Sequence, residues 1–287
     1  MQGMFSIEGD FILDQGFVIN ERENLVFLTV PALSACSGVT HAYTTRRGGT
    51  SLEPYASLNM GLHVGDDPER VIANRQRACR LLGADISQMV AGQQVHGAKV
   101  VTVGNSFCGR GSMSRDDAIP GVDALVTAEP GVLLSSYYAD CVPLFFMDPV
   151  RKVVALAHAG WKGTVLRIGA ATVNHMQQEH GCKAGDIIAG IGPSIGPCCY
   201  EVDAPVIKQV EGCLPGHAGL ARPGKPGKWW LNLPEVNRRV LLEAGIRSEN
   251  ITMAGYCTSC RNDLFFSHRG ENGWTGRMAS LIMLTGG

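Results

Sequence analysis

Short apolar runs broken by polar turns occupy the first forty residues, where FILDQGFVIN (11–20) and NLVFLTV (24–30) read as β segments of an edge sheet or hairpin. The pattern changes at Asp66-Asp67-Pro68, an acidic cap with proline in the first turn. Val71, Ile72, Ala78, Leu81 and Leu82 then supply the apolar face of a helix that Gly83 closes. Residues 122–127 and 132–138 read as strands, followed by a β-hairpin. Residues 161–180 carry Val165, Ile168, Ala170, Ala171, Val173 and Met176 ahead of Gly181, the pattern of a helix packed on a sheet. Next come a strand at DIIAGIG (186–192), amphipathic helices at 203–214 and 234–244 with the basic, proline-rich loop ARPGKPGKWW between them, and a strand at ITMAGYC (251–257). Mixed strands and helices with a hairpin predict an α/β (mixed α+β) fold: one layered domain over residues 1–287, a mixed sheet flanked by helices, with 1–40 as edge strands. There is no internal repeat and no linker.

The hairpin brings the first chemistry into view. Asp148-Pro149 suits the first two positions of a type I turn. A four-residue loop over 148–151 pairs Met147 with Lys152, and then Cys141 faces His158 across the strands. Directly opposed residues hold their Cβ atoms about 4.5 to 5.5 Å apart, a span that one zinc ion bridges with bonds of ~2.3 Å to sulfur and ~2.0 Å to nitrogen. A one-residue change of register would spoil the pair. A third ligand must come from elsewhere, and His96, ending a strand-like segment just before Gly97, has the best context. His41, His63, His175, His180, His217 and His268 have poorer ones.

Composition narrows the function classes. With 25 Lys+Arg against 26 Asp+Glu, the chain has no electrostatic footprint for nucleic acid or an acidic membrane. No segment approaches the roughly 20 apolar residues of a membrane span, so a cytoplasmic protein is expected. The ten cysteines are then expected as reduced thiols, some of them metal ligands, and not as a disulfide framework. Glycine, at 36 residues, exceeds the usual ~7% and predicts tight loops around a site.

Taken together, QQVHG, VDALVT, ADCVPLFF, AHAGWKGT and IGPSIGPCCYEV, with THAYTTRRGGTS, ASLNMGLHVGDD, NLPEVNRR and FFSHRGENGWTGR, run in order from about residue 40 to 280. In them the chain resembles the laccase-domain or "polyphenol oxidase" family of zinc-dependent purine nucleoside phosphorylases. The resemblance implies a layered α/β domain and a metal held by the histidine of QVHG, the cysteine of ADC and the histidine of AHAGW: His96, Cys141 and His158. It also implies Zn2+ as the metal, and purine nucleosides (adenosine, inosine, methylthioadenosine) and phosphate as small-molecule partners, with phosphorolysis of the glycosidic bond and deamination of adenosine. Copper remains open as an alternative metal. The chain departs from the family pattern at GYCTSC, where Cys260 completes a CxxC pair with no assigned role.

Three protein ligands with an open fourth position form the catalytic zinc arrangement. Phosphorolysis further needs an anion at C1′ and a stabilised leaving purine. Arg46, in TTRRGG, is a candidate phosphate clamp and Arg277 a second, guanidinium being suited to bidentate oxyanion contact. Asn59 is a candidate hydrogen-bond partner of a ribose hydroxyl or base edge, or else a turn residue. Asp140, next to Cys141, is a candidate orienting carboxylate or proton carrier, although neighbouring strand residues face opposite ways. Trp161 and Tyr138 are candidate stacking partners for a purine or plain core. No general acid stands out. The base-deaminase signature is missing, since Ala159 and Gly160 follow His158 where a glutamate is needed and Tyr256 precedes Cys257. Copper-dependent phenol oxidation would require paired H-x-H elements that the chain lacks. Editing of a peptidoglycan precursor is an alternative that requires a broader cleft. Cys198, Cys199, Cys257 and Cys260 leave a second metal site open, and oligomeric state is unassigned.

Overall fold

The computed structural model describes residues 16–216 and 219–286. Its strands form two six-stranded sheets and one of three strands. The first sheet runs β1 (Val18–Arg22), β2 (Leu25–Thr29), β3 (Val39–Thr44), β15 (Met278–Leu284), β7 (Leu133–Tyr138) and β4 (Met89–Ala91). The second runs β14 (Ile251–Met253), β10 (Ile188–Ile191), β8 (Val142–Asp148), β9 (Val153–Ala159), β6 (Ala124–Thr127) and β5 (Val100–Thr102). Each is mixed, with β4 parallel to β7 in the first and β5 parallel to β6 and β10 parallel to β14 in the second. The expected mixed α/β architecture is present, with its strands shared between two large sheets packed face to face.

Alternation along the strands explains the layering. Phe145, Met147, Val154 and Leu156 meet Leu134, Tyr138, Met278 and Ile282 in the core between the sheets. The opposite faces of β8 and β9, with Leu144, Phe146, Ala155 and Ala157, pack on α4 (Ile168–His180) and α6 (Leu233–Glu243) through Val173, Met176, Val236 and Leu241. The outer face of the first sheet, with Ala42, Leu133 and Leu281, lies against Ala78 and Cys79 of α2 (Pro68–Leu81). Strands covered on both faces read as continuous apolar runs, and every residue of β8 and β9 is buried. Among the described residues no helix is long and apolar enough to cross a membrane.

Local chemistry sets most of the boundaries. Asp67 caps α2 by accepting the N–H of Glu69, and Gly83 closes it in a left-handed conformation at φ 70°. The expected helices at 203–214 and 234–244 are α5 (Ala204–Cys213) and α6. Elements that the pattern missed include the short helix α1 (Pro31–Ser34) and β15, which sits between β3 and β7.

Four expectations need correction or restriction. The hairpin turns one residue later than a turn starting at Asp148 requires: Asp148 pairs with Val153, so Pro143, and not Cys141, lies opposite His158. Asp148 belongs to the strand while its Oδ1 accepts the N–H groups of Val150 and Arg151, and Lys152 takes φ 56° to complete the return. The helix expected over 161–180 is broken into α3 (Trp161–Val165) and α4, because Arg167 adopts a left-handed φ of 59° and donates to the Cys213 carbonyl and the Glu243 carboxylate. The loop expected at 221–230 is a hairpin of β12 (Ala221–Pro223) and β13 (Lys228–Leu231), which pairs with β11 (Glu201–Asp203) in the small sheet. Of the first β segment, residues 11–15 lie outside the described residues, as does His217; the described remainder enters the edge strand β1.

Candidate metal centre and its cavity

The ligand atoms of His96, Cys141 and His158 lie within 4.8 Å of one another, although they come from three separate segments. His158 is in β9, Cys141 ends the link from β7 to β8, and His96 lies in the loop after β4. The register correction moves the Cys141 partner by two residues and preserves the face, so sulfur and imidazole still meet between the sheets. Cys141 Sγ is 3.8 Å from His96 Nε2, and the two imidazole rings are 4.8 Å apart at 76°.

Asp123, just ahead of β6, organises this cluster. The β6–β9 register continues to place it beside His158, whose N–H donates to the Asp123 carbonyl at 2.8 Å. Its Oδ1 lies 2.9 Å from His158 Nδ1, which fixes the proton on that nitrogen and turns Nε2 toward the cluster. Successive N–H groups of Val95, His96 and Gly97 donate to the same carboxylate at 3.1, 3.0 and 2.8 Å. This nest of donors holds His96 at φ 63°. Burial alone would raise the Asp123 carboxyl, but the bond from His158 and those from Gly97 and Val95 keep it below the usual carboxylate range. Gly160 is required by space, since a Cβ there would stand 2.7 Å from His96 Cδ2 and 3.0 Å from Cys141 Sγ.

The electrostatics suit a cation. Burial would push the Cys141 thiol up, yet His158, helped by hydrogen bonds from both imidazoles, brings it down to about 6. Burial would push His158 down, and the Cys141 thiolate and Asp123 raise it to about 9. A thiolate and an imidazole that share one proton are the donors from which a metal ion displaces that proton. His158 is buried, Cys141 half-buried and His96 exposed, so the cluster is closed behind and open in front.

In front lies a cavity of about 430 Å³ bounded by all three residues together with His63, Arg75, Gln94, Arg115, Tyr137, His268 and Arg277. It carries no carboxylate among its lining residues. Gln94 is fixed by a two-way exchange with the backbone of Tyr137, at 2.9 Å in each direction. Arg75 is fully buried and gives Nε to the Met60 carbonyl and Nη1 to those of Gly111 and Ser112, which fixes its guanidinium at the cavity wall. Arg277 gives Nη1 to the carbonyls of Thr275 and Gly276, which holds its side chain at the cavity wall. A smaller cavity of about 270 Å³ also touches His96 and Cys141 and is lined by Trp161, Lys162 and Tyr200.

The remaining candidates lie outside the lining of the larger cavity, while Asp140 and Trp161 border the smaller one. Arg46 donates to the carbonyls of Ala56 and Asn262 and to Glu271 and stacks over Phe266. Asn59 is fully buried and bonds Gly61, Asp66 and the Arg277 N–H, an Asx-type turn contact. Asp140 accepts from Thr258 and Ser267 hydroxyls and the Arg269 N–H, each at 2.7 Å, and so ties the segment 258–269 beside Cys141. Tyr138 is in the core between the sheets, and Trp161 borders the smaller cavity. Sequence reasoning missed Asp123, Arg75 and Arg115 as site residues, and ranked His63 and His268 below His96. Asp123 carried the one usable signal, its place at the head of VDALVT beside the strand of His158.

Comparison with known proteins identifies the family. The family model for multi-copper polyphenol oxidoreductase laccase matches residues 40–285. Purine nucleoside phosphorylase YlmD of Geobacillus stearothermophilus is 45% identical over 247 residues, covering 86% of this chain and 90% of the relative. An adenosine deaminase of an unknown prokaryotic organism is 36% identical over 236 residues, covering 81% and 88%. The crystal structure of YlmD from Geobacillus stearothermophilus superposes with a TM-score of 0.89 at 42% identity, over 93% of this chain and 98% of that one. Through fold, sequence and the extent of the match, the chain belongs to the multi-copper polyphenol oxidoreductase laccase family.

Proposed function

We propose that the protein is a zinc-dependent purine nucleoside phosphorylase acting on adenosine, inosine and methylthioadenosine, with deamination of adenosine as a second activity. The observation that carries this reading is the cavity. It sets His96, Cys141 and His158 at its base, places Arg75, Arg115 and Arg277 in its walls, and presents no carboxylate to repel a phosphate dianion. Its volume of about 430 Å³ lies within the range of small-ligand sites. Relatives named purine nucleoside phosphorylase and adenosine deaminase support the substrate class.

Two imidazoles and one thiolate within bonding reach of a single point fit zinc, which takes nitrogen and sulfur donors and keeps a catalytic position open when held by three side chains. When bound, the ion supplies Lewis-acid polarisation at the base of the cavity. Asp123 orients His158 and the His96 loop, and Gly160 leaves the room that both ligands need. Arg277, anchored by two carbonyls, and Arg115 attract and orient phosphate for attack at C1′, while Arg75 adds fixed positive charge. His63 and His268 line the cavity outside the ligand cluster and are the imidazoles available to hydrogen-bond the departing base.

The test is chromatography of adenosine, inosine and methylthioadenosine, each incubated with purified protein with and without phosphate. The expected result is free base and ribose 1-phosphate (5-methylthioribose 1-phosphate from methylthioadenosine) only when phosphate is present, with inosine formed from adenosine in either condition. Free base formed equally without phosphate, or no conversion at all, would overturn the reading.

A further inference from the structure

A second cluster of ligating side chains lies outside the cavity. Cys198 and Cys199 are in the link from β10 to β11, and Cys257 and Cys260 are in the loop after β14. The two loops leave the parallel pair β10–β14 side by side. A further parallel bridge between Ser194 and Cys257, with Ser194 N–H bonded to the Tyr256 carbonyl and Thr258 N–H to the Ser194 carbonyl, keeps them in register. All four sulfurs come within 4.8 Å of one another.

We propose that Cys198, Cys199, Cys257 and Cys260 form a tetrathiolate site for a structural zinc ion. A tetrahedron with metal–sulfur bonds of ~2.3 Å has sulfur–sulfur edges of roughly 3.8 Å. The observed Cys198–Cys260 and Cys199–Cys260 separations, both 3.4 Å, are close to that edge. A disulfide needs one sulfur pair at ~2.05 Å and would leave the other two thiols idle. Here two cysteines approach Cys260 equally, which singles out no pair. The Gly196 N–H also points at Cys257 Sγ, 3.2 Å away, a charge-assisted contact that favours a thiolate. Four sulfur donors with no open position are the ligand set of structural zinc sites.

The location gives the ion a consequence. Thr258, inside the CxxC, donates to Asp140, the residue before Cys141. An ion that clamps this loop therefore braces the segment carrying one ligand of the cavity cluster, without touching the cavity.

Elemental analysis of full-length protein purified without chelator tests the proposal, on the wild type, Cys141→Ser and the pair Cys257→Ser/Cys260→Ser. Two zinc ions per chain are expected in the wild type and one in each variant. One ion in the wild type that disappears in Cys141→Ser would overturn the proposal. If the paired variant does not fold, zinc-edge X-ray absorption of Cys141→Ser still decides the matter. An all-sulfur shell at ~2.3 Å is expected. A nitrogen-containing shell, no zinc, or a mass-mapped disulfide among the four cysteines would be the contrary result.

Discussion

Asp123 holds the His158 ring and three successive N–H groups of the His96 loop with a single carboxylate. In Asp123→Asn the side chain keeps its shape but turns an N–H₂ toward groups that are themselves donors. Metal affinity should then fall by about 10- to 100-fold with the fold retained, as measured by chelator competition and circular dichroism. Unchanged affinity would remove Asp123 from the account. His41 makes a different kind of claim. It is buried, accepts the Val30 N–H through Nε2, and burial pushes it from 6.5 down to about 4. A depressed histidine stays neutral in the fold, so its contribution is complete above pH 6.5 and is lost as pH falls toward about 4. The loss amounts to about 3 kcal/mol when protonation is complete. Urea midpoints between pH 7.5 and 4.5 should therefore fall more steeply in the wild type than in His41→Gln, and parallel curves would contradict the assignment.

Among the elements, those framed by local chemistry were legible and those set by distant partners were not. The Asp67 cap, Pro68 and Gly83 announce α2 in the sequence. The break at Arg167 does not announce itself, because a left-handed arginine between two apolar stretches is stabilised by acceptors on Cys213 and Glu243 that only the fold supplies. Arg167→Ala should lower unfolding free energy by about 1 kcal/mol in urea titrations, the side chain being partly exposed. An unaffected midpoint would show that the latch is dispensable. The sequence pattern shows the hairpin but sets its turn one residue early, since Asp148 acts both as the last paired residue and as the acceptor for the turn. The closing strand β15 carries an apolar run broken only by Ser280, but its place between β3 and β7 is a property of topology that no local pattern encodes.

At the scale of the whole molecule, the cavity exists because the two sheets pack face to face. His96 follows a strand of the first sheet, Asp123 precedes a strand of the second and His158 lies in one, and Cys141 is on the link between the sheets, so the cluster assembles only when both sheets are in place. The ligand triad was suggested by residue type, spacing and family resemblance before any fold was known, whereas the arginines of the cavity were mostly invisible. Arg75 and Arg115 sit in unremarkable helical and loop contexts and acquire meaning only from where the chain returns. Arg46, in a more suggestive motif, is occupied by carbonyls, Glu271 and the Phe266 ring. The role proposed for the His96, Cys141 and His158 cluster is to drive phosphate-dependent release of a purine base. Its most direct test is the initial rate of hypoxanthine formation from inosine and phosphate by wild type and by Cys141→Ser of matched fold. Steady release is expected from the wild type and a rate in Cys141→Ser no higher than the enzyme-free control; comparable rates in the two proteins would show that the cluster does not drive the reaction.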